Sequence, residues 1–171
     1  MAEQDVMQEE MMKVGQPGKE HEMLAKHAGN WDVTMKASMN PDEPPAEIKG
    51  TSTAKMILGG RVLVEDFKAE MMGKPFEGHG MMGYGNFRNR WWHTWTDSWS
   101  TGLYYGEGTG TPDGRTLTLI GKSDRPMMNK KDVEMKGVYR FINDNEYIFE
   151  TYDKGPDGKD VKTMELHYRR K

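Results

Sequence analysis

From Asn30 to the end of the chain, short segments rich in β-branched and aromatic residues alternate with tight-turn signals, and nothing reads as a long helix. The candidate strands cover residues 30–38, 47–56, 61–69, 76–84, 90–98, 102–109, 116–122, 131–141, 146–153 and 161–168. Between them stand Pro41-Asp42-Glu43-Pro44-Pro45, Gly59-Gly60, Gly73-Lys74-Pro75, Gly85-Asn86, Thr111-Pro112-Asp113-Gly114, Asn143-Asp144-Asn145 and Gly155-Pro156-Asp157-Gly158. These links are too short for crossover helices, so consecutive strands are expected to pair antiparallel. An open sheet of this size leaves two exposed edges, and closure removes both. The expectation is an all-β fold, an up-and-down antiparallel barrel of about ten strands, with a two-sheet sandwich as the alternative. Such a barrel is wide enough to hold one small ligand, with the site at its mouth.

Two helical segments precede the strands. Residues 3–14 place Val6, Met7, Glu10, Met11 and Val14 at spacings of three and four, and Gly15-Gln16-Pro17-Gly18 stops the run. Residues 20–28 form a second run that should end at Gly29, a natural C-cap residue. The division expected is a helical segment over 1–28, able to cap the barrel, and a barrel domain over 29–171.

Composition excludes several function classes. At 171 residues the chain suits one domain, and 35% hydrophobic residues with a mean hydropathy of −0.88 require a polar surface around a compact core. Cysteine is absent, which removes disulfides, thiolate chemistry and cysteine-based zinc sites. A net charge of −3 gives no reason to expect nucleic acid as a partner. No apolar run reaches the length of a membrane span, and the acidic start Met1-Ala2-Glu3-Gln4-Asp5 is unlike a signal peptide, so the expected location is cytoplasmic. Sixteen methionines hint at adaptable apolar surfaces, although Met standing in for Leu, Ile or Val explains them as well.

Three familiar patterns fail on spacing. In His21-Glu22-Met23-Leu24-Ala25-Lys26-His27 the second His comes six residues after the first, which puts the imidazoles on different helix faces and excludes a zinc pair. Gly106-Glu107-Gly108-Thr109-Gly110 is followed by a turn and a strand, not by the helix a dinucleotide loop needs. The run from Asp153 has Met164 where a calcium loop requires Glu. No metal and no cofactor are expected.

Four of the five tryptophans fall within residues 91–99. At a period of two, Trp91, His93, Trp95, Asp97 and Trp99 share one strand face, an aromatic wall with one acid set into it. Gly78, Gly80, Gly83 and Gly85 lie in or beside a neighbouring strand, where a bend around the barrel is the expected cause and room for a ligand the alternative. Polar or aromatic pairs at i and i+2 occur at Trp95 with Asp97, Glu150 with Tyr152, and Tyr168 with Arg170. An inward Asp97 needs a partner, and Arg170, Tyr168 or His79 could supply one. Such a cluster would suit a carboxylate or carbonyl ligand, with Arg as a bidentate clamp and Tyr as a donor; an internal salt link is the structural alternative. His167 has parity opposite to Met164, Leu166 and Tyr168, so it is expected to face outward, which argues against a haem ligand there.

Pro17-Gly18…His21…Leu24, Gly29-Asn30-Trp31-Asp32, Ile57-Leu58-Gly59-Gly60-Arg61-Val62-Leu63-Val64-Glu65, Gly73-Lys74-Pro75-Phe76-Glu77-Gly78-His79-Gly80, Gly83-Tyr84-Gly85-Asn86, Thr94-Trp95-Thr96-Asp97-Ser98 with Thr101-Gly102, and the ending Met164 to Lys171 form an ordered set over about residues 16–171. Together they resemble the bacterial domain of unknown function 1579 family. The chain departs from that pattern at Gly85, where the family usually has Asp, at Trp92, where an aliphatic residue is common, and at Arg169 and Arg170 near the end, where the family usually reads Tyr-Thr-Arg-Lys. Gly29-x-Trp31 after a short helix also resembles the opening of lipocalin-like (calycin) barrels, which implies that Trp31 packs over the barrel floor. The resemblance implies a fold, not an activity, and favours Trp95 and Asp97 as the shared part of any site.

The expected function is the binding of a small hydrophobic or amphipathic, including carboxylate-bearing, molecule. Trp31, Trp95 and Trp99 would form its walls, with His79, Asp97, Tyr152, Tyr168 and Arg170 as polar anchors. Two other classes compete. One is a barrel isomerase, cyclase or lyase with Asp97 or Glu150 as base and Tyr168 or His79 as acid, which requires such a pair to converge in a water-excluding cavity. The other is an interaction module, such as a homodimer anchored by exposed Trp92 and Trp99.

Overall fold

A computed structural model describes residues 2–37 and 44–171. Ten antiparallel strands close into one barrel: β1 (Gly29–Ala37), β2 (Ala46–Ile57), β3 (Val62–Met71), β4 (Lys74–Gly85), β5 (Arg90–Asp97), β6 (Tyr104–Gly110), β7 (Thr116–Arg125), β8 (Lys130–Asn143), β9 (Glu146–Lys154) and β10 (Asp160–Arg170). Each strand pairs with its neighbours in sequence, and β1 pairs with β10 from Trp31 opposite Arg170 to Ala37 opposite Met164. The expected barrel is the one observed. Part of the expected 41–45 link lies outside the described residues.

Local chemistry accounts for the hairpins. Met71 pairs with Lys74 across a two-residue turn in which Met72 (φ 52) and Gly73 (φ 71) are both left-handed, the geometry that matches strand twist. The expected loop at 143–145 joins β8 to β9, with the Asn145 amide donating to Asn143 Oδ1 at 2.8 Å. Along β1, Trp31, Val33 and Met35 are buried while Asn30, Asp32 and Lys36 are exposed, the alternation of a strand with one wet face.

Helix α1 (Ala2–Val14) presents exposed side chains at Val6, Met7, Met11 and Met12. Helix α2 (Lys19–Ala25) lies against β2, β3 and β4, with Leu24 fully buried in the same cluster as Trp31. Its first turn is closed by His21, whose Nδ1 accepts from the Gly18 amide at 3.0 Å; the histidine of the failed zinc pattern is a cap. The second helix ends earlier than expected, at Ala25, with Lys26 as its C-cap in the right-handed region. Gly29 is instead the first residue of β1, with φ +138, and a Cβ there would meet Arg170 Nη1 at 2.4 Å. The positive φ within a strand, not helix termination, requires glycine at 29, and the guanidinium takes the space a Cβ would fill. Among the described residues no helix is long and apolar enough to cross a membrane.

Two of the glycines of β4 make room for rings of the next strand. A Cβ on Gly78 would lie 2.1 Å from Trp95 Cζ2, and one on Gly83 would lie 2.3 Å from Trp92 Cζ2. Indole rings from β5 fill the space that side chains would occupy, Trp95 inside the barrel and Trp92 outside.

Candidate functional site

The barrel has a packed end and a hollow end. At the packed end Trp31 Nε1 donates to His27 O at 3.0 Å, and the Arg170 guanidinium covers the indole at 4.3 Å from its centroid. That guanidinium donates to Ala28 O at 2.8 Å, to Lys26 O at 2.5 Å and to Asp144 O at 2.7 Å, tying together the α2–β1 link, the β8–β9 turn and β10. Above this floor Tyr147 stacks on Tyr168 at 4.2 Å and meets Trp31 edge-on at 4.9 Å.

Toward the other end a cavity of about 250 Å³ opens between the sheet walls. Phe67, Trp95, Tyr104, Tyr139 and Phe149 supply its rings, and Met35, Met71, Met135 and Met164 its flexible apolar surface. Trp95, Asp97, Tyr104 and Ser123 also border a surface groove that includes Trp99, so the mouth lies beside the β5–β6 connection.

Glu65 is the principal polar group of this cavity. In β3 it alternates with Leu63 and Phe67, so strand parity carries it inward with two apolar neighbours. Ser52 Oγ donates to Glu65 Oε1 at 2.7 Å, and the Tyr168 hydroxyl lies close beside the same carboxyl. Glu65 keeps some accessible surface and lines both this cavity and a smaller pocket toward Leu24 and His27. Burial pushes its carboxyl above the usual carboxylate range, against the pull of the Ser52 and Tyr168 hydroxyls. Burial, and then the charge of Glu65, push Tyr139, Tyr147 and Tyr168 well above the usual phenol value. His93, among the rings of Trp95, Tyr104, Tyr139 and Phe149, is driven down to about 4 by burial and is neutral at pH 7. The Tyr104 hydroxyl, pushed up to about 12 by burial, is buried over Gly106 and Gly121 and has no hydrogen-bond partner among the described residues.

The residues expected from sequence are divided by this geometry. Trp95, Asp97 and Tyr168 line the cavity. Trp31 and Arg170 belong to the floor. Trp99 lies beyond the end of β5, so strand parity does not govern it; it is 44% exposed at the mouth, edge-on to Phe76. His79 faces outward, its Nδ1 2.8 Å from Asp66 Oδ1, and Tyr152 faces outward under Lys136 Nζ. Asp97 therefore takes none of the partners expected for it. Its Oδ2 accepts from Trp95 Nε1 at 3.1 Å and its Oδ1 from the Trp99 amide at 3.0 Å, because Arg170 is fully engaged at the opposite end and His79 is on the other face of the sheet. Of the acid–base pairs considered for catalysis, those with Glu150 or His79 are separated from the cavity: Glu150 is on the outer face with Arg140 at 2.8 Å and Lys162 at 2.7 Å, while Asp97 and Tyr168 both line the cavity. His167 also faces outward, against Glu146. Among the described residues no cluster of three or more His, Asp or Glu side chains could hold a metal ion.

Sequence reading did not single out Glu65, Ser52 or Tyr104 for the site. The signal for Glu65 was present, an acid between Leu63 and Phe67 at a period of two, but the adjacent Val62 and Val64 blur which face is apolar.

A barrel with a tryptophan-and-arginine floor and a hollow upper half invites comparison with known proteins, and a family profile described as protein of unknown function (DUF1579) matches residues 16–170. The chain belongs to the DUF1579 family. No curated protein matches this DUF1579 chain in sequence. Among solved structures it is similar to that of Rv2717c from M. tuberculosis, at 15% identity and a TM-score of 0.64 over 91% of this chain and 99% of that one. The S-type phycobiliprotein lyase CPES from Guillardia theta is similar at 14% identity and a TM-score of 0.60, over 91% and 98%. At these identities the likeness shows that the DUF1579 chain shares their barrel fold.

Proposed function

We propose that this chain binds one small, largely apolar molecule inside its barrel. The observation that carries the reading is the cavity of about 250 Å³, walled by rings and methionines with a few convergent polar groups. Protein interiors are normally close-packed, and side chains facing a void lose dispersion contacts that a ligand would restore. An apolar cavity of roughly 150 Å³ takes up benzene, so this one has room for a molecule of roughly one to two rings. Trp95, Asp97 and Tyr168 are the binding residues carried over from the sequence, joined by Glu65, His93 and Tyr104. Trp31 and Arg170 support the site by holding the floor, and Trp99 flanks the entrance.

Calorimetric titration with a panel of one- and two-ring compounds tests this, with Met164→Trp as the variant that fills the space. At least one member should bind the natural chain, and Met164→Trp should weaken it more than tenfold with an unchanged far-UV spectrum. If no member binds, or if the filled variant binds equally well, the reading fails.

A further inference from the structure

The charges around the cavity are one-sided. Among the described residues Glu65 and Asp97 line it, no Lys or Arg does, and the only other ionisable side chains there are the neutral His93 and the tyrosines. Among the described residues Glu65 forms no ion pair; its partners are hydroxyls. The chain does not lack cations, having 24 Lys and Arg, but they are used elsewhere. Glu150, an acid on the outer face, is flanked by Arg140 and Lys162. Arg125 is bound to Asp153 at 2.7 and 3.2 Å, and Lys122 borders the groove outside the mouth together with Asp124 and Asp132.

We propose that the cavity is built for an organic ammonium ion, with Glu65 as its counter-charge and the faces of the surrounding rings as its remaining shell. The inference rests on the cavity-binding reading and names the chemical class of its ligand. A buried carboxylate without a cationic partner is costly, and a cation entering the cavity relieves that cost. The faces of Trp95, Phe67, Tyr139 and Phe149 carry negative quadrupole potential, which attracts a positive charge and stabilises it most where water is excluded. A carboxylate-bearing ligand, expected from sequence when Arg170 was assigned to the site, would meet two acids and no base. The position of Arg170 under the floor thus reverses the charge of the ligand.

The test compares three probes of one shape class: phenyltrimethylammonium, its uncharged isostere tert-butylbenzene, and benzoate. Each is titrated calorimetrically into the full chain and into Glu65→Gln. The natural chain should bind phenyltrimethylammonium at least tenfold more tightly than tert-butylbenzene, with benzoate weakest. Glu65→Gln should lose that preference, bringing the ratio of the phenyltrimethylammonium and tert-butylbenzene affinities below about threefold. Equal or better binding of tert-butylbenzene by the natural chain overturns the ammonium assignment and leaves cavity binding intact. Failure of all three probes, together with the ring panel, overturns cavity binding itself. If Glu65→Gln does not fold, the order of the three affinities in the natural chain still decides the assignment.

Discussion

The indole of Trp95 covers Gly78 so closely that a Cβ at residue 78 would lie 2.1 Å from Cζ2. The ring cannot simply swing away, because its Nε1 donates to Asp97 Oδ2 at 3.1 Å and its face forms part of the cavity wall. A methyl group at 78 must therefore displace a wall of the site. Gly78→Ala should destabilise the chain by about 1–3 kcal/mol, the usual cost of overpacking. Adding Trp95→Phe to the same chain should recover part of that loss. A urea-denaturation double-mutant cycle measures the coupling, and strictly additive effects would contradict the contact.

Arg170 joins three backbone carbonyls and the face of Trp31 in one planar group. Lysine has the charge but not the fork, so Arg170→Lys should cost about 2–4 kcal/mol, from lost charge-assisted hydrogen bonds and stacking. Hydrogen exchange should show the loss first at the link between α2 and β1. Uniform loss of protection around the barrel would argue against a local clasp.

The strands were legible because each hairpin carries its own chemistry: Met72-Gly73 turns left-handed and Asn143-Asp144-Asn145 closes with a side-chain bond, whatever the rest of the chain does. The parity of β5 likewise placed Trp95 and Asp97 inside. Period-two reasoning failed where a residue left its strand, as at Trp99, and where a long side chain was committed to distant backbone, as at Arg170. Gly78 and Gly83 of β4 were opaque for a related reason. They accommodate rings from the next strand, and a ring's position depends on register, which one strand alone does not specify. Glu65 went unnoticed because its partner Ser52 is thirteen residues away and across a strand pair.

Met72 occupies a left-handed position, φ 52, with its side chain 74% exposed. An unbranched side chain gains nothing there to offset the backbone strain, whereas Asn tolerates the conformation and suits the first centre of this turn. Met72→Asn should stabilise the chain by about 0.5–1 kcal/mol. Thermal unfolding would show this as a rise of a few degrees, and an unchanged or lower midpoint would mean that the turn is not left-handed in solution.

Two buried imidazoles and one buried carboxyl make opposing contributions to stability across pH. Burial holds His93 at about 4; burial and then Arg170 hold His27 at about 4. In the unfolded chain both take up protons near pH 6.5. Between those values the unfolded state binds more protons than the folded one, so stability must fall as pH falls, by about 1.4 kcal/mol per pH unit for each imidazole. Glu65 works in the opposite direction. Its folded carboxyl is raised by burial, against Ser52 and Tyr168 and with Asp66 opposing its charge, so the folded state binds the extra proton and stability falls as pH rises through that range. Urea midpoints should therefore drop on going from pH 6.5 to 4.5. His93→Phe should flatten the acid limb, since it removes one of the two imidazoles and leaves a ring of similar size among Trp95, Tyr139 and Phe149. Glu65→Gln should do the reverse, steepening that limb and gaining on the natural chain as pH rises above the ordinary carboxylate range. A midpoint that does not change between pH 6.5 and 4.5, or a Glu65→Gln difference independent of pH, would show that these groups titrate alike in the folded and unfolded chains.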